Sequence, residues 1–368
     1  MIPNENILSN FAFDEALDMD ICSIEPIVSG HINHTFVATQ GEQKYIVQKI
    51  NTGIFKDPCS LMENIDNVTE HIRRKTEAVG GDAKRATLEI IKTNEGRLFY
   101  TDSDNNCWRC YRYIKNSVGL DTINAGDLHT FYVAGAALGD FQKMLMDFDA
   151  SILAETIPLF HDTKNRFRNL EIAIGENRSG RLSDALPEID FAKAHKEMCS
   201  IIVDKLADGS IPLRVTHNDT KLSNILADED TQQVLCLIDL DTVMPGSALY
   251  DFGDALRSAA SSGAEDEKDL SKIYFRQDIF EEYCKGYLSV AAEFLTEAEI
   301  DLLAESVIMM TFECGIRFLS DFLDGDVYFA TAYPEHNLVR ARNQFKLVAD
   351  MEEKLKKTKE IVALAAGK

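Results

Sequence analysis

Apolar residues change their period along the chain, and the changes mark out its elements. Residues 1 to 20 place Phe11, Phe13, Leu17 and Met19 on one side of a short amphipathic helix. From Ile24 the run IEPIVSGHINHTFVATQGEQKYIVQKIN reads as two β-rich segments joined by turn residues around Gly41. Pro58 then stands where a first helical turn tolerates it. Leu61, Met62, Ile65, Val68 and Ile72 follow at helical spacing up to a stop at Gly80 and Gly81. The segments ATLEIIKTNEGRLFY and NNCWRCYRYIKNS pair as a hairpin that completes a small antiparallel sheet, and Tyr111 to Ile114 form the connection out of it.

From Asp127 the pattern turns helical. FYVAGAALGDFQKMLMDF carries apolar residues at i, i+3, i+4 and i+7, as a core helix does. AETIPLFHDTKNRFRNLEIAI reads as a loop-to-helix junction with Asp162 or Thr163 as N-cap, and residues 175 to 200 as a loop and a helix. An apolar run from Val234 to Ile238 predicts a strand ending at Asp239, and YDFGD opens another helix. Further helices are expected from Ile279 to Phe294, from an N-cap at Thr296 to Phe322, and from Asn337 to Ala365. Strands first and helices after predict an α+β fold.

Composition narrows the class. A chain of 368 residues exceeds one small core, so two lobes are expected, and 45% apolar with 27% charged residues is ordinary for a globular protein. No stretch approaches the roughly 20 apolar residues that span a bilayer, and the N-terminus carries acids where a signal peptide needs basic residues. A cytoplasmic protein without a membrane partner is expected. The 8 cysteines are scattered, and the CWRC of Cys107 and Cys110 lies in a β-like run that points the two thiols to opposite faces. Free thiols are therefore expected, and zinc is not. The net charge of −23 argues against a nucleic-acid partner. It would also repel an anionic ligand unless a divalent cation and local cations reverse the field, and it would attract a cationic substrate.

The stretch from Val215 to Arg257 carries the chemistry. His217 and Asp219 lie on a polar turn, Asn224 comes five residues after that aspartate, and the apolar run ends at Asp239. Turn chemistry alone accounts for such residues singly. Together and in this order they fit phosphoryl transfer, in which one Asp accepts the acceptor-hydroxyl proton while an Asn and a second Asp hold Mg²⁺ against the phosphates. HNDTKLSN with IDLD and the later YDFGD resembles the motif of the aminoglycoside phosphotransferase and choline kinase superfamily.

That resemblance implies ATP and Mg²⁺ as cofactors and a bilobal, protein-kinase-like fold. A nucleotide-covering sheet lobe would span residues 1–115, and a larger helical lobe with the catalytic and substrate site would span 116–368. It assigns Asp219 as base, Asn224 and Asp239 as metal ligands, Asp241 as a further metal group or a support behind it, and His217 and Asp251 as braces of the loop. Gly30 and Asn33 fall where a phosphate-covering loop belongs, although one glycine departs from GxGxxG and a plain hairpin turn fits equally. Lys49 has the spacing of the phosphate-pairing lysine, with Glu70, or in reserve Glu63, as its partner. Tyr111, Arg112 and Ile114 would offer main-chain groups to adenine.

Four segments, SGHINHTF, KINTGIF, the central motif and RFL with GDVYF, resemble N-acetylhexosamine 1-kinases in order along the chain, and TIPLFHDT resembles a further segment of theirs. They imply a small-molecule sugar substrate phosphorylated at its anomeric hydroxyl, N-acetylglucosamine or N-acetylgalactosamine, with His161, Arg317 and Tyr328 reaching it. An Arg317–Asp321 pair at i, i+4 is the plain structural alternative. Two other functions stay open on sequence: a choline, ethanolamine or aminoglycoside kinase, and a nucleotide-binding protein without turnover.

Overall fold

The computed structural model describes residues 2–14, 22–27, 32–123 and 126–367. They gather into two compact units. The first contains residues 1–118, 147–158 and 226–244, and the second 119–146, 159–225 and 245–368. A single cut after residue 115 therefore does not describe the chain, because two later segments join the first unit. Among the described residues no helix is long and apolar enough to cross a membrane.

The expected N-terminal helix reduces to α1, Glu5–Leu8, capped by the side chain of Asn4. Phe11 instead bridges to Thr93 in extended backbone, while Leu17 and Met19 lie outside the described residues, as does Gly30. The strands β1 (Ser23–Ile27), β2 (His34–Gln40) and β3 (Gln43–Lys49) follow, with the turn at Gly41. Later come β4 (Tyr100–Thr101) and β5 (Cys107–Arg112), and the sheet order is β1-β2-β3-β5-β4. Only the end of the expected first hairpin limb is a strand. Residues 89–91 run beside β5 by single bonds such as Ile91 N–H to the Cys110 carbonyl at 2.8 Å.

Alternation gives this sheet two different faces. Phe36, Ala38, Tyr45, Val47, Trp108 and Cys110 cover one face and pack with Ile7, Leu8, Phe11 and Ile91. The other face carries Thr35, Gln48 and Arg109. Helix α2, Pro58–Ala78, begins at the Asp57 N-cap with Pro58 at its first position, and buries Leu61, Met62, Ile65, Val68 and Ile72 as its spacing predicts. Its buried Asn64 ties the first unit together. The side-chain amide donates to the carbonyls of Ala154 at 2.8 Å and Val243 at 2.9 Å, and its oxygen accepts from Ala154 N–H at 2.9 Å.

Short strands β6 (Ser117–Gly119), β8 (Ile225–Asp228) and β9 (Val234–Leu237) form a three-stranded sheet, and β7 (Arg214–Thr216) pairs with β10 (Met244–Gly246). The second unit is mainly helical: α3 (Leu128–Met144), α4 (Thr163–Glu176), α5 (Leu186–Ala194), α6 (Val203–Ala207), α7 (Ala248–Ala259), α8 (Gln277–Ala291), α9 (Glu297–Asp324) and α10 (His336–Ala365). Thr296 and Glu299 close a capping box at the start of α9. Helices α3 and α8 approach so closely that a Cβ on Gly286 would stand 1.9 Å from the Tyr132 carbonyl oxygen. All eight cysteines are free thiols.

Candidate active site

Strand β7 delivers the chain into the turn of His217 to Asn224 in the second unit. His217 is fully buried, and Asn218 takes a left-handed backbone at φ 63°. That strained turn is held by Asp251 from the first turn of α7. Its carboxylate accepts from His217 N–H at 3.1 and 3.0 Å and from Asn218 N–H at 2.7 Å, and Gln142 of α3 donates to it at 3.1 Å. Burial pushes the Asp251 carboxyl up from its ordinary value, and the N–H donors work against that. His217 accepts Asp219 N–H on Nδ1 at 3.3 Å, so it too braces the loop.

Asp219 itself keeps a half-exposed carboxylate. Its Oδ2 accepts from Asn224 Nδ2 at 2.9 Å and from Lys221 Nζ at 2.8 Å. Asn224 also donates to the Asp219 carbonyl at 2.9 Å, which fixes the five-residue spacing as a closed turn. Lys221 went unassigned on sequence, although its place two residues after Asp219 was visible.

In the first unit, Asp239 follows β9 with a left-handed backbone, φ 61°, uncommon for a residue with a side chain. Asp241, expected as a metal group or as a support behind one, is buried. It forms an ion pair with Arg109 at 2.6 Å and accepts from Asn33 Nδ2 at 2.6 Å. Both Asp241 oxygens thus have partners within the first unit, while Asn224 in the second unit and Asp239 in the first each carry a side-chain oxygen. Amide and carboxylate oxygens are the donors that Mg²⁺ prefers, and Mg²⁺ usually takes only one or two carboxylates. Asn33 is meanwhile locked in place, its oxygen accepting Asn51 N–H at 2.9 Å.

The lysine–glutamate pair does not form. Lys49 lies opposite His34 and Trp108 in the sheet register, on the face of Tyr45 and Val47. Glu63 is exposed and accepts from Cys59 Sγ at 3.4 Å, while Glu70 pairs with Arg73 on its own helix. Tyr111 and Arg112 are the last residues of β5 and not a free connection. Arg112 N–H already donates to the Glu89 carbonyl at 2.9 Å, and its guanidinium pairs with Asp14 and Glu89. Ile114 is buried, and its carbonyl accepts from Ser117 Oγ at 2.7 Å.

A second group of predicted residues meets within the second unit. His161, 8% exposed, gives Nδ1 to Glu313 of α9 at 2.7 Å, and Thr163 Oγ1 donates to the other Glu313 oxygen at 2.6 Å. Burial works to raise the Glu313 carboxyl, but His161, Arg317 and Thr163 together hold it below its ordinary value. His161 Nε2 is buried with no hydrogen-bond partner. One turn after Glu313, Arg317 lies 5.6 Å from the Phe160 ring, 5.9 Å from Tyr328 and 5.5 Å from Phe329. The i, i+4 pair with Asp321 is absent because Asp321 accepts the N–H groups of Val327, Tyr328 and Phe329 at 2.9, 2.8 and 2.9 Å. Arg166, bonded to the Phe160 carbonyl, is a second guanidinium close by. Burial, then the charge of Arg317, lowers its pKa. Sequence reasoning missed Glu313 and the Arg166 role, since nothing local marks a glutamate inside a helix as the partner of a distant histidine.

The sequence profile of the phosphotransferase enzyme family, APH, matches residues 23–292. Among solved structures, an aminoglycoside phosphotransferase from Alicyclobacillus acidocaldarius is similar over 97% of this chain and 97% of its own, at 13% identity and a TM-score of 0.55. A microcompartment-associated aminopropanol kinase is similar over 92% of this chain and 94% of its own, at 16% identity and a TM-score of 0.54. An ethanolamine kinase of Plasmodium vivax is similar over 89% and 83%, at 14% identity and a TM-score of 0.54. At these identities the structures share a fold. Because the family profile runs from β1 through the turn of His217 to Asn224 and on to α8, the chain belongs to the phosphotransferase enzyme family, with its protein-kinase-like α+β fold, and is a small-molecule phosphotransferase.

Proposed function

We propose that the protein transfers the γ-phosphoryl group of ATP to the anomeric hydroxyl of an N-acetylhexosamine, N-acetylglucosamine or N-acetylgalactosamine, giving the sugar 1-phosphate. The observation that carries the choice of acceptor is the group around His161: two guanidiniums, Arg166 and Arg317, outnumber the one carboxylate of Glu313 beside a buried imidazole with an open Nε2. Like charges brought together across an interface cost several kcal/mol, so this group disfavours the ammonium of choline, ethanolamine or an aminoglycoside. Hydroxyl and acetamido oxygens suit it, because guanidinium has donors only. The aromatic rings of Phe160, Tyr328 and Phe329 offer apolar faces to a sugar ring.

Mg·ATP, when bound, supplies an activated phosphoryl group and neutralises its charge. In this reading Asp219 accepts the hydroxyl proton on its carboxylate, and Lys221 offers positive charge beside it. Asn224 and Asp239 would hold the metal, and Asp251 with His217 keeps the turn rigid. Little covalent work falls to the protein, so positioning carries the rate. The competing reading, a cationic substrate, draws on the acidic balance of the chain, −23 net. ADP release measured with Mg·ATP against N-acetylhexosamines, hexoses, choline, ethanolamine and kanamycin separates the two. Faster turnover of the N-acetylhexosamines is expected, and preference for an amine would overturn the proposal.

A further inference from the structure

The face of the sheet that carries Asp241's partner lacks Lys49. Gln48 and Arg109 are cross-strand partners on β3 and β5, and Arg109 Nε donates to Gln48 Oε1 at 2.9 Å while Gln48 Nε2 donates to Thr35 Oγ1 at 2.9 Å. Only 1% of Arg109 is exposed. A buried guanidinium is costly unless paired, and replacing such a pair with apolar residues is often neutral or stabilising. Its presence is better explained by what it holds. Asp241 lies two residues after Asp239, whose left-handed backbone persists only if its surroundings impose it. Arg109 and Asn33 fix the Asp241 side chain at 2.6 Å each, and Thr156 Oγ1 donates to its carbonyl at 3.3 Å.

We propose that Arg109 is a positioning residue for the metal-binding turn: through its ion pair with Asp241 it sets Asp239. The inference rests on the phosphotransferase reading but not on the identity of the acceptor. Its chemistry is the one outer-sphere partners perform elsewhere, orienting a ligand they do not replace.

The test is calorimetric binding of ADP to the full chain across a Mg²⁺ titration, with melting temperature recorded for every variant. Arg109→Lys and Asp241→Asn are each expected to raise the Mg²⁺ concentration needed for tight ADP binding by about 10–100-fold, and to lower kcat more than they raise the KM of the acceptor. The loss at Lys49→Met is expected to be smaller. If Arg109→Met fails to fold, Arg109→Lys, which keeps the charge and shortens the fork, still decides the question. An unchanged Mg²⁺ requirement in a folded Arg109→Lys, or a larger shift at Lys49→Met, would overturn the proposal. Should the protein phosphorylate no N-acetylhexosamine, the ADP titration still judges Arg109 on its own.

Discussion

Asp219 is held from two sides by Lys221 and Asn224 while its carboxylate stays half exposed, as the base proposed for it must be to reach a substrate proton. Asp219→Asn keeps the size and one acceptor oxygen but loses the basicity. A positioned base contributes roughly 10²–10⁴ to rate, so kcat is expected to fall by about that factor while ATP affinity, measured by equilibrium binding, stays within a few-fold. Glu313 makes a different statement. Its carboxyl is held below the ordinary value of 4.5, so its contribution to stability is present above that pH and is lost as pH falls through the depressed folded value. Glu313→Gln is expected to be less stable than the parent at pH 7 by about 1–3 kcal/mol. In chemical denaturation that gap should close as pH drops below 4.5; a gap independent of pH would refute the ionised pair. The motif residues were legible because their spacing is local. His161 was legible only through resemblance, and Glu313 was not, because a residue 152 positions away becomes its partner only through the packing of α4 on α9.

Elements obeyed their sequence patterns where propensity and packing agree. Helix α2 starts at Pro58 and buries the stripe its spacing marks, and α9 starts at the Thr296 cap. Strand facing was harder. Alternation of Tyr45, Val47 and Lys49 states that the three share a face, but only the register with β2 and β5 shows that this face meets α1. The same limit hid Arg109, whose CWRC setting drew attention to its thiols. The α3–α8 contact was invisible for a related reason: Gly135 and Gly286 show their purpose only where the two helix backbones touch. A Cβ at Gly286 would meet the Tyr132 carbonyl at 1.9 Å, while one at Gly175 in α4 would meet nothing within 4 Å. Gly286→Ala is therefore expected to lower Tm by about 4–10 °C through overpacking, and Gly175→Ala to leave Tm equal or higher, as alanine favours helix. Equal effects of the two in a thermal melt would contradict the close approach.

For the molecule as a whole, −23 net charge opposes every anion it binds. Screening shortens the reach of that field from about 30 Å at 0.01 M salt to about 10 Å at 0.1 M. The association rate of nucleotide in stopped-flow is accordingly expected to rise a few-fold over that range; a fall would mean that local cations outweigh the net field. Class and reaction were legible from order and motif. The division into units was not, because residues 147–158 and 226–244 join the first unit through contacts such as those of Asn64. The proposed acceptor rests on the His161, Arg166 and Arg317 group, and its most direct test is the position of the transferred phosphate. Proton–phosphorus correlation NMR of the product made from N-acetylglucosamine and Mg·ATP is expected to couple the phosphate to the anomeric proton. Coupling to another carbon-bound proton of the sugar with none to the anomeric proton, or transfer only to an amino alcohol, would contradict it.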